Sequence, residues 1–196
     1  MGSFICIDKL KQSILLDGPK FQITIQRLCR QLIENHGDFS NAVVIGIQPR
    51  GTFLARRIVK ELERMIEKPI LVGDLDITFY RDDFRTKGNA GPLLANSTNI
   101  NFIVEGKDVI FIDDVLWTGR TIRAAMDAVQ AFGRARSIEL LVLVDRRFSR
   151  QIPIQPDYIG IQVDSIDSQK VIVNWKESDD QDSIILVTEK KPLGND

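Results

Sequence analysis

The chain has 196 residues, 43% of them hydrophobic and 27% charged, with a formal net charge of −1. Such a length and composition fit one globular domain, taken as residues 1–196, and exclude the disordered and fibrous classes. A charge so close to neutral gives no general attraction to nucleic acid or anionic membranes, so any nucleic-acid role would need a local patch.

The opening residues Met1-Gly2-Ser3-Phe4-Ile5-Cys6 have neither the basic stretch nor the long apolar run of a secretion signal. Cys6 also stands where myristoylation wants Ser or Thr. Phe21 to Asn35 carries Ile25, Leu28, Cys29, Leu32 and Ile33 at helical spacing. The only cysteines, Cys6 and Cys29, suit a reducing compartment and read as small buried apolar residues. His36 is the sole histidine and is expected to be solvated at the helix C-terminus. One histidine and two cysteines without ligand spacing leave no room for a zinc site or a Ser-His-Asp hydrolase.

Asn41 to Ile47 reads as a buried strand, Gln48-Pro49-Arg50-Gly51 as a turn, and Phe53 to Ile66 as a helix. Ile70 to Phe79 follows as a strand after Pro69. Arg81 to Asn101 collects Asp, Arg, Lys, Gly, Asn, Pro and Ser without periodicity, and loops of that length are more often functional lids than connectors. Val109 to Ile112 is a strand, Thr121 to Phe132 a helix, and Ser137 to Val144 a strand. Short strands follow near Val171–Trp175 and Ile184–Val187. Apolar runs such as Leu140–Val144 are far too short to cross a bilayer, and a cytoplasmic location without membrane attachment is expected. Alternating helices and unbroken apolar strands predict an α/β fold around a mainly parallel sheet. Ligands in such sheets sit beyond the carboxyl ends of the strands, so the turns Gln48–Gly51 and Asp113–Thr121 should share one face.

The most informative stretch is Val109-Ile110-Phe111-Ile112-Asp113-Asp114-Val115-Leu116-Trp117-Thr118-Gly119-Arg120-Thr121. Four apolar residues make a strand that delivers two adjacent carboxylates to its end. Gly119 then allows close backbone approach to a ligand, while loop amides, threonine hydroxyls and a helix N-terminus offer an anion site. Carboxylates repel phosphate but accept hydrogen bonds from vicinal ribose hydroxyls, so the order of groups fits a ribose 5-phosphate lying across the loop. No G-x-G-x-x-G follows a strand. Gly46 to Gly51 has P-loop spacing, but Thr52-Phe53 stands where Lys-Ser/Thr is required.

This stretch closely resembles the phosphoribosyl pyrophosphate (PRPP) motif of type I phosphoribosyltransferases. Further stretches resemble the PyrR family of pyrimidine operon attenuators with uracil phosphoribosyltransferase activity. They are Gly46–Gly51, Asp76–Asp83, Thr118–Asp127, Val142–Arg146 and Pro153–Gly160. The resemblance implies the type I fold, a mainly parallel central sheet flanked by helices with a small hood and a mobile loop at about 81–101. It implies that Asp113 and Asp114 hold the ribose hydroxyls and Trp117–Thr121 the 5-phosphate. Gln48-Pro49-Arg50-Gly51 would form the pyrophosphate loop, with Arg50 joining the two acids in catalysis. Tyr80, Arg81, Asp82, Asp83 and Lys87 would belong to the closing loop, and Asp145 and Arg146 would lie on the base side. It further implies Mg²⁺ travelling with PRPP, with no protein ligand assigned to it, and a homodimer or larger assembly.

The implied reaction joins uracil to PRPP, giving UMP and pyrophosphate. The alternatives are an RNA-binding attenuator that senses UMP or PRPP, and a purine phosphoribosyltransferase. Purine enzymes of this class place an Asp where Trp117 stands, which favours a pyrimidine. For RNA, Arg134, Arg136, Arg146, Arg147 and Arg150 offer a local basic face. Gln155 and Ile161, however, stand where relatives are commonly basic. Gln48-Pro49 replaces the usual Lys-Thr, and Arg147-Phe148-Ser149 replaces the usual Gly-His-Arg.

Overall fold

The computed structural model describes residues 11–82, 95–166 and 168–188. Strand β1 (Lys11–Leu16) leads into helix α1 (Gly18–His36). Asp17 caps that helix by accepting from Lys20 N at 3.2 Å, Pro19 occupies its first turn, and Gly37 ends it at φ 57°. The chain continues through β2 (Ala42–Ile47), α2 (Gly51–Ile66), β3 (Val72–Leu75) and a 3₁₀ turn at Thr78–Tyr80. Then come β4 (Asp108–Leu116), α3 (Arg120–Val129) with a 3₁₀ turn at Gln130–Phe132, and β5 (Ser137–Arg147). Strand β6 (Tyr158–Asp164), β7 (Gln169–Asn174), the single turn α4 (Lys176–Asp179) and β8 (Ser183–Thr188) complete it.

Five strands form one parallel sheet in the order β3-β2-β4-β5-β6. Side chains alternate across it, and both faces are apolar, which is why its inner strands read as unbroken hydrophobic runs. On one face Val44, Ile110, Ile112, Leu141 and Leu143 pack against Phe21, Ile25 and Leu28 of α1 and Leu54, Ile58 and Leu62 of α2. On the other, Val43, Ile45, Val109, Phe111 and Val142 pack against Ile122, Ala125 and Val129 of α3. No helix among the described residues is long and apolar enough to cross a membrane.

The remaining strands make a separate antiparallel sheet, β1-β8-β7, the expected hood. Trp175, fully buried, fastens it to the main body: its ring lies edge-on to Phe21 at 5.3 Å and 6.1 Å from Phe53. Arg57 of α2 covers the Trp175 ring at 5.0 Å and pairs with Glu177 and, at 2.7 Å, with Asp182. Those two carboxylates hold the guanidinium above its usual pKa despite its partial burial.

Several expectations need correction. The strand expected over 70–79 is only Val72–Leu75, because the segment turns into a 3₁₀ helix at Thr78. Strand β4 does not stop at Ile112 but carries both acids within it and ends at Leu116. Helix α3 starts at Arg120 and stops at Val129, short of Phe132. Strands β1 and β6 lie at sheet edges, where Lys11-Gln12-Ser13 and the mixed pattern of Tyr158–Asp164 carry a weaker apolar signal. His36 does end a helix, but its side chain is only 7% exposed and meets Glu139 Oε2 at 2.9 Å. Tyr158 Oη donates to the same carboxylate at 2.7 Å. Cys29 is buried as expected, its thiol pushed up to about 12 by burial, then by Glu61; Cys6 lies outside the described residues.

Candidate functional site

Adjacent residues of a strand point to opposite sides, so two carboxylates side by side on a central strand face two different environments. Asp113 is buried, and its Oδ1 accepts from the backbone N–H of Asp114 at 2.9 Å. The Asp114 side chain is 15% exposed and lies with Oδ2 3.5 Å from Arg50 Nε. Burial first, then the neighbouring Asp114 charge, pushes the Asp113 carboxyl well above the ordinary carboxylate range. Burial also raises Asp114, against the pull of Arg50.

Gly51 makes the approach of α2 possible. A Cβ there would lie 2.4 Å from Ile112 O and 3.0 Å from Asp113 Cα, which no side chain can occupy. Arg50, immediately before it, reaches from the start of α2 to the hood, donating to Val173 O at 2.5 Å and lying 3.4 Å from Asp179 Oδ2. Gln48 donates to Ser97 O at 2.9 Å, and the Gln48–Pro49 peptide is cis.

Beyond β4 the loop Trp117-Thr118-Gly119 turns into α3. Gly119 takes φ 90°, a left-handed conformation that favours glycine, and brings no capping side chain. Only Thr118 Oγ1, 3.4 Å from Arg120 N, sits near the first amide, so the first turn of α3 presents its N–H groups to the space in front. The loop is braced from behind: Gln151 N and Ile152 N donate to Thr118 O at 3.0 and 3.1 Å.

These parts enclose a cavity of about 660 Å³. Asp113 through Ile122, Arg50, Arg81, Arg146 and Gln151 line it, and hood residues Gln169–Val173 form its roof. Arg146 is 5% exposed; its Nε donates to Ser165 Oγ at 2.9 Å and its Nη2 to Gln169 O at 2.8 Å. Its guanidinium stacks 4.9 Å from the centre of the Trp117 ring. Arg120 donates to Gln151 Oε1 at 2.8 Å and to Asp82 Oδ2 at 2.6 Å. A cavity combining two acids with several cations and an open helix N-terminus suits a polyanion that also carries hydroxyl groups.

The structure thus brings Asp113–Thr121, Arg50, Arg81 and Arg146 into one cavity. Val109–Ile112 are core residues behind it, and Tyr80 lies half-exposed on the 3₁₀ turn. Asp145 does not line the cavity; its carboxylate is buried against Arg150. Asp83 and Lys87 lie outside the described residues. Sequence reasoning missed Gln151 and the roof strand β7. Val171–Trp175 was legible as a strand, but nothing in its side chains signalled ligand contact.

Residues 11–179 match the family described as Phosphoribosyl transferase domain, so the chain is a phosphoribosyltransferase. Solved structures share its fold. A hypoxanthine phosphoribosyltransferase from Staphylococcus aureus superposes with a TM-score of 0.66 at 22% identity, covering 96% of this chain and 98% of that one. Another from Trypanosoma cruzi, in complex with IMP, gives 0.65 at 14% identity and 91% of each chain. Sequence relatives narrow the class. The chain is 42% identical to the Bifunctional protein PyrR of Desulfosudis oleivorans, covering 91% of this chain and 97% of that one. It is 38% identical to the Bifunctional protein PyrR of Bacillus subtilis, covering 90% and 97%. The chain belongs to the PyrR family of type I phosphoribosyltransferases.

Proposed function

We propose that this enzyme transfers the phosphoribosyl group of PRPP to uracil, giving UMP and pyrophosphate, in the cytoplasm and as a homo-oligomer. The observation that carries the reading is the placement of Asp113 and Asp114 beside the open N-terminus of α3 within one cavity. The two acids accept hydrogen bonds from the ribose hydroxyls, and the amides and hydroxyls of Trp117–Thr121 hold the 5-phosphate. Arg50 contributes a guanidinium to the leaving pyrophosphate, where charge accumulates as the bond to the ribose carbon breaks. The new bond joins that carbon to the ring nitrogen of uracil, which loses its proton. No protein nucleophile is required; orientation and charge stabilisation do the work.

The roles of Arg146 and Trp117 bear on the base. Arg146 is a buried cation at the cavity wall and carries only donors, which favours a base edge rich in carbonyl oxygens. Trp117 has only an indole N–H donor and cannot supply the carboxylate that purine enzymes place there. The Asp114 carboxylate at the cavity wall would suit a Mg²⁺ that keeps most of its shell as substrate oxygens and water, since such ions need only one or two carboxylates. The ion would neutralise pyrophosphate charge.

An RNA-binding role would draw on Arg134, Arg136, Arg146, Arg147 and Arg150. Arg136 pairs with Asp108, Arg147 with Asp164 and Arg150 with Asp145, while Arg146 is buried. Cations committed in this way form a poor phosphate-binding face, and the enzyme reading is favoured. The test is PRPP turnover by the purified protein against uracil, hypoxanthine, guanine and orotate. Uracil should be preferred clearly; equal or faster turnover of a purine would overturn the assignment.

A further inference from the structure

We infer that Arg150 is a positioning residue for the phosphoribosyl site, fixing the backbone of Trp117 through a fork whose other arm neutralises buried Asp145. Its functional meaning rests on the phosphoribosyl-transfer reading above. Strand β5 ends at Arg147, the chain turns at Phe148 with φ 68°, and Gln151, Ile152 and Ile154 return against the loop at Thr118 and Gly119. From this strap Arg150 Nη1 donates to Trp117 O and Nη2 to Asp145 Oδ1. The Arg150 side chain is 22% exposed and that of Asp145 only 7%. Asp145 pairs with Leu116 in the β4–β5 register, at the level where strand gives way to loop.

A planar guanidinium with fixed donor directions can serve a carbonyl and a carboxylate together only if both hold their places. Arg150 thereby ties the first loop residue to the last turn of the sheet. The same strap holds Thr118 O by two amide bonds and packs Ile152 against Gly119. Trp117 is then gripped twice, at its carbonyl by Arg150 and at its ring by Arg146, although the residue is 48% exposed. Arg150 does not line the cavity, so it acts through Trp117 rather than on substrate.

A purely structural role would amount to neutralising Asp145, and the two roles separate in a double-mutant experiment. Arg150→Met, Asp145→Asn and the double variant are compared by thermal midpoint, by kcat and KM for PRPP, and by tryptophan emission. Arg150→Met should lower the midpoint, because it leaves a buried charge unpaired. It should also raise KM for PRPP by about 10-fold or more, because a displaced phosphate loop loses orientation. The double variant should recover most of the lost midpoint but not the KM. If Arg150→Met fails to fold, Arg150→Lys keeps the charge but cannot span both acceptors, and should hold the midpoint better than KM.

Recovery of KM in step with the midpoint, or a wild-type KM in Arg150→Met, would overturn the inference. If the wild-type protein transfers phosphoribose to no base, the functional reading alone fails. Emission then decides: the chain has two tryptophans, and Trp175 is fully buried. A shift of Trp117 emission in the double variant relative to Asp145→Asn, abolished by Trp117→Phe, supports positioning; an unshifted spectrum refutes it.

Discussion

Replacing Asp113 by Asn should move stability and ligand affinity in opposite directions. The wild-type carboxyl is buried beside Asp114 and its pKa is raised, first by burial and then by that neighbour. An acid whose folded pKa exceeds its unfolded value, about 3.9, favours folding fully below the unfolded value. That contribution is lost as pH rises through the folded pKa. Above the unfolded pKa the wild-type fold therefore bears a burial cost that the unfolded chain escapes, and the neutral Asn does not. Asn Oδ1 can still accept from Asp114 N, so the local backbone keeps its bond. Relief of this kind is worth about 0.5–2 kcal/mol, the scale of ordinary stabilising substitutions. A chain of this length gains about 2–4 °C per kcal/mol, so the midpoint should rise by a few degrees at pH 8. The gain should shrink as pH falls toward the unfolded pKa, where both states of the wild-type chain bind the proton. Losing one hydrogen bond to a charged acceptor costs about 1.5–3 kcal/mol, or about 10- to 150-fold in Kd for PRPP. Differential scanning calorimetry across pH and titration calorimetry with PRPP and Mg²⁺ measure the two effects. A lowered midpoint at pH 8, or unchanged PRPP affinity, would refute the reasoning.

Gly51→Ala should destabilise the fold by about 1–3 kcal/mol, because its methyl would strike Ile112 O and the Asp113 backbone, and thermal melting should register it. The same variant should lose PRPP affinity, since the collision displaces the acid pair. Arg57→Ala should loosen the hood from α2, leaving Asp182 unpaired and Trp175 uncovered. The loss should be about 1–3 kcal/mol after allowing for the partial exposure of the pair. Limited proteolysis should then cut preferentially near 175–183.

Much of the cavity-forming half was legible in the chain because its signals are local. Val109–Thr121 carries strand, acids, glycine and helix start in one run, and the structure keeps that order. The parallel-sheet rule put the turns Gln48–Gly51 and Asp113–Thr121 on one face, and the register between β2 and β4 brings Arg50 to Asp114 there. The hood was harder to read. Its strands come from both ends of the described chain, and β1 pairs with β8 across more than 160 residues. No local pattern in Gln169–Val173 marks it as a cavity roof. Asp145 and Arg150 show the opposite difficulty. An Asp at a strand end in this class reads as substrate-facing and a nearby arginine as a surface cation. The structure turns them toward each other. His36 was misread for a related reason: its partners, Glu139 and Tyr158, lie more than 100 residues away.

The most direct test of the account is to quantify UMP and pyrophosphate formed from PRPP and uracil by the wild-type chain and by Asp113→Asn/Asp114→Asn, both verified as folded. The wild-type protein should form the two products in equal amounts, and the double variant should form neither. A wild-type protein that makes no UMP, or a double variant that makes it as fast, would contradict the assignment of the Asp113–Asp114 cavity as the phosphoribosyl-transfer site.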